Sequence, residues 1–127
     1  MKKCILAGVL LAVAVAQLSA LELSRFVLTR DIKHNEPADT DVVFFLVEGA
    51  VYCFTEFKNV KKITRVAHRW YCGERLVGTV ALTVRPASRW RTWSRKLFKG
   101  CTGQWKVQVL DAGEHILAEK KFQVTPL

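Results

Sequence analysis

Cys53, in YCFTEF, and His68, in AHRWYC, are the two residues whose types most readily suggest chemistry, because a thiolate and an imidazole together are good ligands for zinc or copper. Strand alternation brings them to the same side. If Glu56 faces outward, Tyr52 and Phe54 share its side while Val51, Cys53, Thr55 and Phe57 point in; if Trp70 faces inward, His68 and Val66 follow it and Arg65, Arg69 and Tyr71 turn to solvent. A zinc site needs more than two ligands, and the spacing supplies no third. His68 therefore reads as a core histidine satisfied by a backbone or hydroxyl partner, and neither a metal nor another cofactor is expected.

Nucleophilic catalysis finds no better footing. There is no G-x-S-x-G turn, no H-E-x-x-H pair and no glycine-rich phosphate loop, so a noncatalytic protein is expected. What remains is recognition, and the stretch that suggests it is SRWRTWSRKLFKG, Ser88 to Gly100, where arginines and lysines interleave with Trp90 and Trp93. The two rings are three residues apart. On a helix Trp90, Trp93 and Leu97 would align, whereas on a strand Trp90 and Trp93 point to opposite faces. A helix of this length would be marginal without tertiary support. A strand is preferred, with Trp93 and Leu97 in the core and Trp90 outside among the cations; Arg91 and Arg95 would then point inward, so the regular pattern is expected to break near Thr92.

Several features bound the setting of these residues. The first residues, MKKCILAGVLLAVAVAQLSA, have the charge and apolar pattern of a secretory signal peptide, Met1 to Ala20, with cleavage after Ala20 preferred over Ala16. The apolar run is short for a membrane anchor. A secreted or periplasmic location follows, with residues 21–127 forming one domain around one modest core. The whole chain carries a formal charge of +9, of which Lys2 and Lys3 belong to the leader. So basic a domain suits anionic partners such as acidic glycans, cell-wall polymers or phosphate-bearing surfaces, with peripheral membrane contact as a further option.

Seven apolar segments with alternating character follow, divided by turn residues: Leu21 to Thr29, a run from Val42 broken near Glu48 and Gly49, Thr64 to Cys72, Arg75 to Val84, the Ser88 to Gly100 stretch, and a closing hairpin from Gly103 to Val124. In that hairpin Trp105, Val107 and Val109 alternate with Lys106 and Gln108, and Lys120 falls on the apolar parity of the return strand. The pattern predicts an all-β protein, an immunoglobulin-like or fibronectin-like antiparallel β-sandwich of about seven strands, with Trp70 in the core. In that topology the third and sixth strands are antiparallel neighbours. The end of one meets the start of the other, which predicts a Cys72–Cys101 disulfide and leaves Cys53 as a buried thiol.

Lined up in order, EP (Glu36, Pro37), YCFTEF, HRW (His68 to Trp70), RWRTWS (Arg89 to Ser94) and GQW with VLDAGEHILAEKKF resemble an uncharacterised bacterial family, the domain of unknown function numbered 2914. The resemblance runs through nearly all of residues 21–127 and implies a small β-rich domain with no established ligand or activity.

These readings converge on a noncatalytic binding module of the bacterial cell envelope that presents a basic and aromatic face to an anionic ligand. Arg65, Arg69, Tyr71, Arg89, Trp90, Arg91, Arg95 and Lys106 are its expected contacts, and His68, Trp70, Trp93 and Trp105 are expected to be structural. A protein-interaction domain docking on another envelope protein is the alternative. Nucleic acid, which basic and aromatic surfaces also bind, fits a secreted chain less well.

Overall fold

The computed structural model describes residues 21–127, so the expected signal peptide, Met1 to Ala20, lies outside the described residues. Apolar alternation produces seven long strands or strand-sized segments and three short ones: β1 (Glu22–Thr29), β2 (Ile32–Lys33), β3 (Glu36–Pro37), β4 (Val43–Phe45), β5 (Ala50–Val60), β6 (Thr64–Cys72), β7 (Arg75–Val84), β8 (Ala87–Leu97), β9 (Gly103–Leu110) and β10 (Ile116–Thr125). The break expected near Glu48 and Gly49 is a short 3-10 turn, Leu46–Glu48, closed by Gly49 at a φ of 83°, a conformation that suits glycine.

Two sheets form the sandwich. One has the order β1-β5-β8 and the other β4-β10-β9-β6-β7, while β2 and β3 make a separate small hairpin. Pairing is antiparallel throughout except between β10 and β4, which run parallel. As in an immunoglobulin-like or fibronectin-like sandwich, the third and sixth long strands, β6 and β9, are antiparallel neighbours, with Cys72 opposite Trp105. Cys72 and Cys101 are joined by a disulfide across this end. Cys53 is a free, buried thiol, and burial pushes its pKa well above the usual thiol range.

The core is strongly aromatic at this end. Trp70 and Trp105 both pack on Phe122, with ring centroids 6.1 and 5.7 Å apart, and Phe44 and Phe98 close the cluster. The Trp105 indole N–H donates to the Cys101 carbonyl at 3.0 Å. Lys120, on the apolar parity of β10, keeps that side: its strand is bulged between Ile116 and Ala118, and its ammonium lies 5.3 Å from the Phe26 ring centroid. Arg30, at the end of β1, ties down the crossing to β4 through ion pairs with Asp39, Asp41 and Glu48 and lies 4.7 Å over the Phe44 ring.

Between the sheets His68 forms a short polar chain. Its Nδ1 lies 2.7 Å from the Ser94 hydroxyl and its Nε2 lies 3.3 Å from the Thr55 hydroxyl. Thr55 spends its only hydroxyl proton on the Thr92 carbonyl at 3.0 Å, so it can only accept from the imidazole. The ring therefore carries its proton on Nε2, and Ser94 donates to Nδ1. This is the hydroxyl-satisfied histidine expected from the sequence, and it stitches β6 of one sheet to β5 and β8 of the other.

Burial disfavours the charged imidazole and lowers the His68 pKa from 6.5 to about 4. Between those values only the unfolded chain takes up the proton, so the stability due to neutral His68 is complete above pH 6.5 and is lost progressively down to about pH 4. Imidazole 1H–15N correlation spectra should show an Nε2–H tautomer that persists to about pH 4, whereas a midpoint near 6.5 would contradict the buried chain.

Candidate functional site

The expected contact residues fall on two opposite faces, because β6 and β9 belong to one sheet and β8 to the other. Arg65, Arg69, Tyr71 and Lys106 lie on the outer face of the five-stranded sheet. There Lys106 Nζ sits 4.6 Å from the Tyr71 ring centroid and 4.0 Å from Glu119, and Arg69 pairs with Glu114 at 3.4 Å. Arg89, Arg91 and Arg95 lie on the outer face of the three-stranded sheet, opposite Lys58, Glu56 and Tyr52. A single surface holding both sets, as the sequence reading supposed, is not formed.

The orientation of the two tryptophans also differs from expectation. β8 pairs with β5 from Ala50–Leu97 to Val60–Ala87 without a register shift, so there is no break near Thr92. Trp90, opposite Phe57, turns inward onto the Phe57, Val60, Val66, Val84 and Val109 cluster, and its indole N–H is buried without a partner. Trp93, opposite Phe54, turns outward and stacks on that ring with centroids 6.2 Å apart and planes at 11°. Leu97 is exposed. The inward row of β8 is thus Trp90, Thr92, Ser94 and Lys96, an unusually polar set for a core face. It is tolerated because the Ser94 hydroxyl bonds His68, Lys96 donates to the Val77 carbonyl at 2.8 Å, and Thr92, which lends only its backbone carbonyl to Thr55, is not fully buried.

Arg91 is drawn outward by Glu56. This residue does sit on the outer face, as its strand parity requires, yet its side chain is only 3% exposed. A buried carboxylate is costly unless paired, and Glu56 is paired several times over. Ser24 Oγ donates to it at 2.9 Å, Arg25 Nη1 at 3.2 Å and Arg91 Nε at 3.1 Å, and Arg89 Nε stands 3.8 Å away. A register shift between Leu23 and Arg25 in β1 lets both Ser24 and Arg25 reach the same carboxylate.

A second carboxylate arrives from the small hairpin. His34 and Asn35, at φ 52° and 61°, make the left-handed two-residue turn between β2 and β3 that sets Lys33 opposite Glu36. Glu36 then accepts from Arg25 Nη2 at 2.8 Å and Nη1 at 3.2 Å, and lies 3.1 Å from Arg91 Nη2. The result is a closed ring of alternating charge, Arg25–Glu36–Arg91–Glu56. Beside it, Asn35, Arg89, Arg91 and Trp93 line a cleft of about 290 Å³. Arg25 also lies 4.9 Å over the Phe54 ring, so rings and guanidinium groups share one surface.

The charges are firmly set. Hydrogen bonding from Arg25 is the largest influence on Glu36 and holds its pKa below the usual carboxylate range. Burial alone would raise Glu56, but hydrogen bonds from Ser24 and Arg91 and the nearby charges of Arg25 and Arg89 outweigh it, and its pKa is lowered as well. Both carboxylates are therefore ionised at neutral pH, and the four arginines of this face still outnumber them. Among the described residues, no group of three or more His, Cys, Asp or Glu is placed to hold a metal ion. Ser24, Arg25, Asn35, Glu36 and Glu56 are the members of this site that the sequence did not mark as contacts, although Glu36 stands in the EP motif and Glu56, set between phenylalanines in YCFTEF, was expected to face outward.

Residues 63–124, just under half of the chain, match the model of a family described as a protein of unknown function (DUF2914), the family that the sequence motifs resemble. The matched region holds the HRW, RWRTWS and GQW motifs; EP and YCFTEF precede it. No curated protein matches the chain. Among solved structures, a β-glucosidase from Listeria innocua in complex with glucose is similar with a TM-score of 0.53 at 8% identity, over 85% of this chain and 16% of that one. The structure of a β-glucosidase from the same organism matches with a TM-score of 0.50 at 9% identity, over 87% and 17% of the two chains. The chain thus spans about a sixth of those enzymes, and the likeness is one of fold alone.

The inward and outward rings make separable demands. Trp90→Ala should lower unfolding free energy by about 3 kcal/mol, the usual cost of emptying a large apolar site, and Trp93→Ala by clearly less. Urea denaturation of the two variants checks this, and an equal or larger loss at Trp93 would contradict the assignment.

Proposed function

We propose that this protein is a noncatalytic binding module of the bacterial cell envelope whose ligand-binding surface is the outer face of the three-stranded sheet. The observation that carries the reading is the cleft beside the charge ring, where Arg89 and Arg91 converge with Asn35 and Trp93. Guanidinium groups fixed by carboxylates beneath them are oriented in advance, which lowers the entropic cost of forming charge-assisted bonds to an anion. A neighbouring ring adds a stacking surface. Anionic glycans or cell-wall polymers meet both demands, and a secreted or periplasmic location would bring the module to them. The site's carboxylates, tied up and held ionised, suit orientation of arginines rather than proton transfer near neutral pH.

This reading narrows the expected contacts to Arg89 and Arg91, with Arg25 and Trp93 added. Arg95, farther along the same strand, extends the basic row. Arg65, Arg69, Tyr71 and Lys106 form a separate surface whose cations are spread apart. A protein-docking role is the second reading, supported by Val42, Val43, Phe45 and Val47, which are all exposed around β4.

On an array of acidic and neutral glycans, the protein should retain acidic ones and lose them steeply as salt rises. Arg89→Gln and Arg91→Gln should each abolish most of that retention, and Arg65→Gln should leave it nearly intact. Retention that depends equally on Arg65, or none above that of a basic control protein, would overturn the proposal, and one stoichiometric protein partner in envelope crosslinking would favour docking instead.

A further inference from the structure

Glu36 differs from Glu56 in the way it is held. Glu56 is the floor of the charge ring, 3% exposed, and belongs to a long central strand. Glu36 is 43% exposed and is carried by a hairpin of two-residue strands. Its two carboxylate oxygens meet the two terminal nitrogens of Arg25, at 2.8 and 3.2 Å, in the end-on, two-point arrangement by which a guanidinium can bind a planar carboxylate. One of those oxygens also meets Arg91. The cleft lined by Asn35, Arg89, Arg91 and Trp93 opens beside it.

Resting on the reading of this face as an anion site, we infer that Glu36 is a built-in competitor occupying the carboxylate position of the ligand, and that the ligand is a carboxylated sugar of the uronic acid class. The sugar's carboxylate takes the place of Glu36 between Arg25 and Arg91, and its ring lies in the cleft against Trp93. A planar carboxylate is the group that this pair of guanidinium groups already holds, which favours it over tetrahedral sulfate or phosphate. Glu56 stays in place during the exchange and keeps Arg25 and Arg91 aimed. Removing the competitor therefore strengthens binding, the opposite of what removing a contact residue does.

Fluorescence anisotropy with a labelled galacturonate oligomer tests this on the full chain. Glu36→Gln should bind roughly fivefold more tightly than wild type, the scale of one exposed ion pair. Arg91→Lys, which keeps the charge and loses the fork, should weaken binding in both backgrounds, and a neutral galactose oligomer should not bind. Glu119→Gln changes net charge equally on the opposite face and should leave affinity unchanged. If Glu36→Gln does not fold, Glu36→Asp, whose shorter arm withdraws from Arg91, should bind more tightly in its place.

If wild type binds and Arg91→Lys weakens it while Glu36→Gln binds no more tightly, the competitor role is overturned and the anion site stands. An equal gain from Glu119→Gln also overturns it, since net charge then explains the effect. Absence of binding by both wild type and Glu36→Gln overturns the inference and the site together.

Discussion

The burial of one carboxylate on the outside of a sheet organises this face of the molecule. Glu56 is almost inaccessible, yet it points away from the sandwich interior, so its charge must be met by groups that fold over it. Arginines from β1 and β8 and a serine released by a strand bulge do so. Breaking such a set by removing one partner would leave uncompensated charge at high cost. The guanidinium groups are consequently held where the carboxylate requires them, and those of Arg89 and Arg91 line the cleft.

The same two strands connect this face to the core. β5 and β8 alternate, so Thr55 and Ser94 point in to hold His68 while Glu56, Arg91 and Trp93 point out to build the site. A slip of one residue between β5 and β8 would exchange both sets at once. The His68 chain, which reaches from β6 to both strands, therefore also helps to fix the register on which the outer charge ring depends. This gives a physical role to polar residues that look misplaced on an inward strand face.

Much of the fold was legible because it rests on local alternation. The spans of β6 and β7, the Cys72–Cys101 bond and the inward placement of His68 and Trp70 all follow from period-two patterning and sandwich topology. The outer site was much less legible. Thr92 and Ser94 carry hydroxyls, so their row on β8 resembles a solvent face and invites the reversed assignment of Trp90 and Trp93. Arg65 and Arg91 look like parts of one basic surface until the sheets separate them. Ser24, Arg25 and Glu36 reach the site through a bulge and a short hairpin, and neither leaves a periodic trace in the sequence.

The central claim is that the anion-binding surface lies at the Glu56-anchored arginines and not on the opposite sheet. Side-chain NMR of the arginine Nε–H and tryptophan indole groups during titration with a galacturonate oligomer tests it most directly. Shifts should concentrate at Arg25, Arg89, Arg91 and Trp93 and spare Arg65, Arg69 and Trp70. Shifts centred on Arg65 and Arg69, or none at Arg91, would contradict it.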